Sequence, residues 1–122
     1  MQPRYVVVFV PRNNQILGIA HKFLLTNVNL PWGSVKLGET PYDAAVRVVS
    51  EQTRVAVLEA RLLSTVEESG STTYLYYATK FDGRPLPTAT GRAFWAEAQQ
   101  LLRPTADGVG WAQRILAMLL RI

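Results

Sequence analysis

The sequence contains no cysteine among its 122 residues. This absence excludes a disulfide framework, a zinc site built from thiolates and a cysteine nucleophile. It is compatible with a reducing compartment, and we expect a cytoplasmic protein.

Long apolar runs are also missing. No stretch approaches the roughly 20 apolar residues that a membrane-spanning helix needs. The apolar run at residues 5–10 is short, and Pro11 and Arg12 follow it where a signal peptide would have small residues. The apolar stretch at residues 111–122 is too short to span and is interrupted by Arg114. We therefore expect neither a signal peptide nor a membrane partner.

Charge of one sign is only slightly in excess. Thirteen basic residues, ten of them arginine, face nine acidic ones, which gives a net charge of +4. Arginine matches the geometry of phosphate, so this excess is compatible with an anionic ligand such as a nucleotide. An ordinary solvated basic surface explains it equally well. The basic residues form no run, so no nucleic-acid patch is visible.

The length suits one domain, residues 1–122, with one core. Apolar segments separated by turn residues predict a hairpin of strands at 5–10 and 15–20 and a second hairpin of strands at 61–66 and 72–81. The remaining predicted elements are a short strand at 23–25, a turn at 31–33, a strand at 55–58, a loop at 86–91, a short helix within 93–102 and a terminal helix from 110 or 111 to 120. This order predicts an α+β fold, a mixed sheet with a helix on each face.

The clearest local signal is Thr40-Pro41-Tyr42-Asp43. Thr40 can cap a helix, Asp43 can complete a capping box, and Pro41 falls at the first helical position. The sequence therefore predicts a helix from Pro41 to Thr53. Its buried stripe follows helical spacing and comprises Ala44, Ala45, Val48, Val49 and Gln52.

The spacing around this helix is that of a known motif. Gly33, Glu39 and Arg47 are separated by five and seven residues, which resembles the opening of the Nudix box. Residues 30–33 resemble the Leu-Pro-Gly-Gly entry to the box, and residues 38–41 its Gly-Glu-Thr-Pro helix start. Phe94-Trp95 with Leu101 is similar to a Trp-x5-Leu stretch of the family. The resemblance covers nearly the whole chain and implies a Nudix-like mixed sheet sandwiched between helices.

The second half of the box departs from the family pattern, which continues from the arginine as Glu-apolar-any-Glu-Glu-any-Gly-apolar. Val48 and Gln52 replace two of its three glutamates, Glu51 keeps the third, and Arg54 replaces the glycine. In the family these acids share one helix face and hold Mg²⁺ or a similar cation. Val48 offers no ligand and indicates an apolar environment. Arg54 would cost about 1 kcal/mol if the positive φ suited to glycine is kept.

The resemblance implies candidate residues for each role. The catalytic candidates are Glu51 and Arg47, and the metal candidates are Glu51 and, through a neutral carbonyl oxygen, Gln52, unless no metal binds. The candidates for ligand binding are Gly33, Trp32, Glu39 and Lys36.

Several of these residues also have a structural explanation. Arg47 and Glu51 could form a helix ion pair, and Glu39 could favour the positive end of the helix. Trp32 could stack on a base, occlude a pocket or simply pack. Glu67 or Glu68 could approach the site from the second hairpin, although a solvated turn is the simpler explanation. The single histidine, His21, has no evident catalytic partner.

Three functions remain open at this stage. The favoured hypothesis is a Nudix-fold module that binds a nucleotide or another phosphate-containing small molecule, an RNA end or a protein, with weak or no hydrolysis. The second is a hydrolase of nucleoside diphosphate-linked substrates that uses Mg²⁺ or Mn²⁺ in a rebuilt site. The third is a structural protein, a homodimer through the apolar residues of 115–122.

Overall fold

The computed structural model describes residues 2–21 and 24–97, and the side chains within that part except those of 21–27. The predicted terminal helix at 110–120 and the apolar stretch at 115–122 lie outside the described residues. The described elements, in chain order, are β1 (Arg4–Phe9), β2 (Pro11–Arg12), β3 (Gln15–His21), β4 (Leu24–Asn29), β5 (Trp32–Ser34), α1 (Pro41–Thr53), β6 (Ala56–Glu68), β7 (Ser71–Asp82) and β8 (Gly91–Glu97).

The strands form two four-stranded sheets. The first has the order β5-β1-β7-β6, in which β1 runs parallel to β7 and the other neighbours are antiparallel. The second is built around β3, which pairs antiparallel with β2, β4 and β8. The fold is therefore α+β with mixed strand directions, as predicted. Among the described residues α1 is the one helix.

Strand β1 lies at the centre of the core because both of its faces are buried. Val6, Val8 and Val10 pack in one cluster with the apolar stripe of α1, whereas Val7 and Phe9 pack in a second cluster on the opposite face. A strand covered on both sides reads as a continuous apolar run, which explains the valine-rich sequence of residues 5–10.

Helix α1 begins and ends where the sequence predicts. The backbone N–H of Asp43 donates to the Thr40 hydroxyl at 3.1 Å, so Thr40 is the N-cap. The helix ends at Thr53 and is followed by Arg54 in the left-handed conformation, with φ 67°. The second predicted hairpin is also confirmed, although β6 is one continuous strand, Ala56–Glu68, rather than two.

Two local predictions are wrong, each because pairing between distant segments overrides the local pattern. Strands β1 and β3 do not form a hairpin: they lie in different sheets, and only the short β2 turns back onto β3. Trp32–Ser34 is a strand beside β1 instead of a turn. Gly91–Glu97 is strand β8, paired with β3 along its length, so the short helix predicted within 93–102 does not include residues 93–97, and residues 98–102 lie outside the described part.

The conformation of Arg54 yields a stability prediction. Glycine adopts a positive φ without steric cost, so we expect Arg54→Gly to raise the free energy of unfolding by about 1 kcal/mol. Arg54→Ala is the matched control, since it removes the long side chain but keeps the Cβ atom. Urea unfolding measures both variants. A glycine variant no more stable than the alanine variant would contradict this account of the helix end.

Candidate functional site

A pocket of about 370 Å³ opens at the C-terminal end of α1. It lies where β5 and the last turn of the helix meet the second sheet and the segment before β8. None of the described residues that line it is charged, and the side chains combine an indole, aliphatic groups, hydroxyls and amides. The lining comprises Ile19, Asn29, Leu30, Trp32, Gly33, Ser34, Gln52 and Thr90.

Arg47 binds the loop between β5 and α1 to the helix. Its Nε and Nη2 donate to the two carboxylate oxygens of Glu39 at 2.8 and 3.1 Å, and Nη2 also donates to the backbone oxygen of Ser34 at 2.7 Å. The backbone N–H of Lys36 donates to the same carboxylate at 3.1 Å. Both oxygens of Glu39 thus accept hydrogen bonds from Arg47 of the helix, and the exposed Lys36 contributes through its backbone.

The hydrogen bonds from Arg47, and then the one from the backbone of Lys36, lower the pKa of Glu39 from 4.5 to about 2. The same carboxylate raises the pKa of Arg47. The two side chains are 15% and 22% exposed, so they are partly shielded from water. Glu39 is therefore held ionised by a permanent partner, which suits a structural anchor better than a proton-transfer group.

Gln52 connects the last turn of α1 to strand β5. Its Oε1 accepts from the backbone N–H of Trp32 at 3.3 Å, and its Nε2 donates to the backbone oxygen of Trp32 at 2.7 Å. The side-chain amide thus satisfies a donor and an acceptor of one residue. The Trp32 side chain is itself 53% exposed, lies edge-to-face with Tyr5 and forms part of the pocket wall.

Val48 is 1% exposed and belongs to the core cluster under the helix. A Cβ atom added at Gly33 would lie 2.8 Å from Cγ2 of Val48, which is shorter than a normal van der Waals contact. Gly33 is therefore required by close packing of β5 on α1. The apolar environment predicted for Val48 is confirmed.

Of the three helix positions that carry glutamates in the Nudix box, position 51 is the one that keeps a glutamate here. The side chain of Glu51 is 57% exposed. It accepts from Nη1 of Arg47 at 3.3 Å, the expected helix ion pair. Glu67 and Glu68 lie at the end of β6, on the opposite sheet edge from β5. Within the described part of the chain they join no group of three acids that could hold a metal ion.

The candidate ligands among the described residues do not fit a divalent cation. Within the described residues no group of three or more His, Asp or Glu side chains could hold a metal ion. Val48 is apolar, Glu39 is bound by Arg47, and the oxygen of Gln52 accepts from Trp32. Glu51 alone is too few ligands for Mg²⁺, which takes six oxygen ligands and usually one or two carboxylates.

Most of the residues that line the pocket were not identified from the sequence alone. Asn29 and Thr90 belong to segments without a local signal, and they join the site only through the folding of β4 and β8 against the helix end. The hydroxyl of Thr88 donates to the backbone oxygen of Gln52 at 3.0 Å, and the backbone N–H of Leu86 donates to that of Thr53 at 3.0 Å. These bonds cap the helix with the segment that carries Thr90.

The contact between Gly33 and Val48 predicts a rescue. We expect Gly33→Ala to destabilise the protein by about 2 kcal/mol through overpacking, and Val48→Ala to cost about 2 kcal/mol through a cavity. Combined, they should cost about 1–2 kcal/mol less than their sum, because the smaller side chain at 48 makes room for the new methyl group. Chemical denaturation measures all three variants. Additive costs would show that the two residues do not meet.

The lowered pKa of Glu39 predicts a loss of stability in acid. A depressed carboxyl pKa stabilises the fold above the unfolded value of 4.5, and this contribution disappears as pH falls towards about 2. The stability difference between wild type and Glu39→Gln should therefore be constant near neutral pH and shrink between these values. Glu67→Gln, at an exposed hairpin position, is the control. Thermal melts across pH measure it, and a difference independent of pH would contradict the prediction.

Comparisons with known proteins agree with this geometry. A structure from a study of MutT of Aliivibrio salmonicida and Vibrio cholerae has a TM-score of 0.77 at 19% identity, covering 96% of this chain and 98% of that one. A MutT Nudix hydrolase from Burkholderia pseudomallei has a TM-score of 0.72 at 22% identity, covering 98% and 97%. An ADP-ribose pyrophosphatase from Streptococcus suis has a TM-score of 0.72 at 15% identity, covering 99% and 92%. These TM-scores show a shared fold.

The search of curated proteins gives no match. No helix in the described part of the chain is long and apolar enough to cross a bilayer. The family model of the NUDIX domain matches residues 1–119. With the predicted box at Gly33 to Val55 and the matching fold, the conclusion is that this chain belongs to the Nudix family.

Proposed function

We propose that this Nudix protein binds a nucleotide or another phosphate-containing small molecule and hydrolyses it weakly or not at all. The observation that carries the proposal concerns the two positions at which the Nudix box has glutamates and this chain does not. Val48 packs in the core, and the Gln52 amide is hydrogen-bonded to Trp32. Nudix enzymes generally use divalent metals. Of the three glutamate positions on this helix face, Glu51 alone carries an exposed carboxylate, which is too few ligands for such a metal.

The pocket supports a ligand with a neutral, flat group. Its volume of about 370 Å³ lies within the range of small-molecule sites. The half-exposed indole of Trp32 offers a stacking surface, and the polar atoms of Asn29, Ser34 and Thr90 offer hydrogen bonds to ring nitrogens and oxygens. A nucleoside suits such walls better than a phosphate does, because the described lining carries no positive charge. The phosphates would then extend outwards.

Because the fold is similar to that of an ADP-ribose pyrophosphatase, ADP-type nucleotides are the first ligands to test. An ADP-type nucleotide combines a planar base with a charged tail. Loss of the acids does not remove the pocket, since every described lining residue except Gln52 comes from strands and loops outside that helix face. Binding with little hydrolysis is the function that these features support together.

Thermal melts with ligands test this proposal. In EDTA, an ADP-type nucleotide at saturating concentration should raise the melting temperature by about 5 °C, because a ligand that binds only the folded state stabilises it. Inorganic phosphate alone should give no shift. Trp32→Ala should weaken the response, whereas Leu58→Ala, an exposed apolar residue of β6, should leave it unchanged.

Phosphate release from the same nucleotides with Mg²⁺ or Mn²⁺ should stay at background. Turnover that requires the metal and disappears in Glu51→Gln would replace the proposal with a hydrolase that uses a rebuilt site. A response to an RNA 5′ end but not to nucleotides would redirect it to RNA. Silence with every ligand, together with a concentration-dependent homodimer in sedimentation, would favour the structural function.

A further inference from the structure

The backbone of β5 has an outer edge that no described strand covers. In an antiparallel pair, successive residues turn their N–H and C=O groups alternately towards the partner and away from it. The oxygen of Pro31 accepts from Val8, and the N–H of Val35 donates to Arg4, so these residues face β1. The backbone groups of the intervening Trp32 and Ser34 therefore face outwards, towards α1.

Side chains of α1 form hydrogen bonds with this outer edge, where a further strand would otherwise pair. Arg47 donates to the oxygen of Ser34 at 2.7 Å, and Gln52 both accepts from and donates to Trp32. An amide matches this edge because it carries one acceptor and one donor, like a peptide group. The bond from Nε2 to the Trp32 oxygen, at 2.7 Å, is the shorter of the two and requires a hydrogen on the side chain.

A carboxylate at position 52 could not make this second bond. It would bring two oxygens that only accept hydrogen bonds close together, with no proton between them. Such a pair is stable when a cation lies between the oxygens, and hard divalent cations bind carboxylate and carbonyl oxygens together. Position 52 therefore decides whether the contact between helix and strand needs a cation.

We propose that the Gln52 amide takes the place of a bound cation, and that this makes the site independent of divalent metal. The Nε2 group bridges the helix to the Trp32 oxygen where a carboxylate would need Mg²⁺ or Mn²⁺. Changing this single residue to glutamate converts the contact into one that depends on such a cation. The inference concerns the protein without its ligand, so it stands or falls separately from nucleotide binding.

Melting temperatures of three proteins test it: the wild type, Gln52→Glu and Gln52→Met. The methionine variant is the matched control, because its side chain is similar in length but makes neither hydrogen bond. Each is measured in EDTA and then with MgCl₂, MnCl₂ or CaCl₂ at matched ionic strength. Paramagnetic resonance of Mn²⁺ counts the ions bound to each protein.

The wild type should melt at the same temperature in EDTA and with each cation. Both variants should melt about 5 °C lower in EDTA, since each loses the bridge to Trp32. Mg²⁺ or Mn²⁺ should restore most of the loss in Gln52→Glu and none in Gln52→Met. One Mn²⁺ should bind per Gln52→Glu molecule, and adding Glu51→Gln should weaken it.

Three outcomes would overturn the inference. One is a wild type that binds Mn²⁺ and is stabilised by it. Another is a Gln52→Met variant as stable as the wild type, which would mean that the amide bridge holds nothing. The third is a Gln52→Glu variant whose loss of stability no cation reverses. The first two do not need the glutamate variant to fold.

Discussion

The exposed backbone edge of β5 is the constraint on which the site depends. Hydrogen-bonding groups of a sheet edge must find partners, and here they find them on the helix rather than on another strand. Arg47 donates to the backbone oxygen of Ser34 and Gln52 donates to that of Trp32, so hydrogen bonds join the helix to the strand at two points along one edge. The tight contact of Gly33 on Val48 fixes their separation between those points. Together these contacts set the pocket wall.

The same contacts explain how the Nudix fold persists while the acid pattern of the box does not. Glu39 and Arg47 hold the loop through an ion pair, which needs no bound cation. Val48 adds to the core, and the amide of Gln52 donates to the Trp32 oxygen, where a carboxylate would bring a second group that only accepts hydrogen bonds. In the function that we propose, a neutral pocket beside a rigid strand takes the place of the chemistry that several carboxylates would support.

The sequence predicted the local parts of this picture and missed the long-range ones. The cap at Thr40 and the span of α1 follow from residues that are neighbours in the chain, so spacing alone identifies them. The sequence left the conformation of Arg54 open, and the structure has it left-handed. The strand at Trp32–Ser34 and the pocket wall at Asn29 and Thr90 depend on pairing across distant segments, which no local pattern encodes. Gln52 could be recognised as a lost acid, but its bond to Trp32 appears only in the fold.

The central claim is that the helix–strand bridge through Gln52 replaces a cation beside a nucleotide pocket. A crystal structure with ADP and Mn²⁺, with anomalous data recorded for manganese, tests it most directly. The account predicts a base beside Trp32, the Gln52 amide still within hydrogen-bonding distance of the Trp32 backbone, and no anomalous peak there. A manganese peak joining Glu51 to the Trp32 oxygen, with Gln52 turned away, would contradict it.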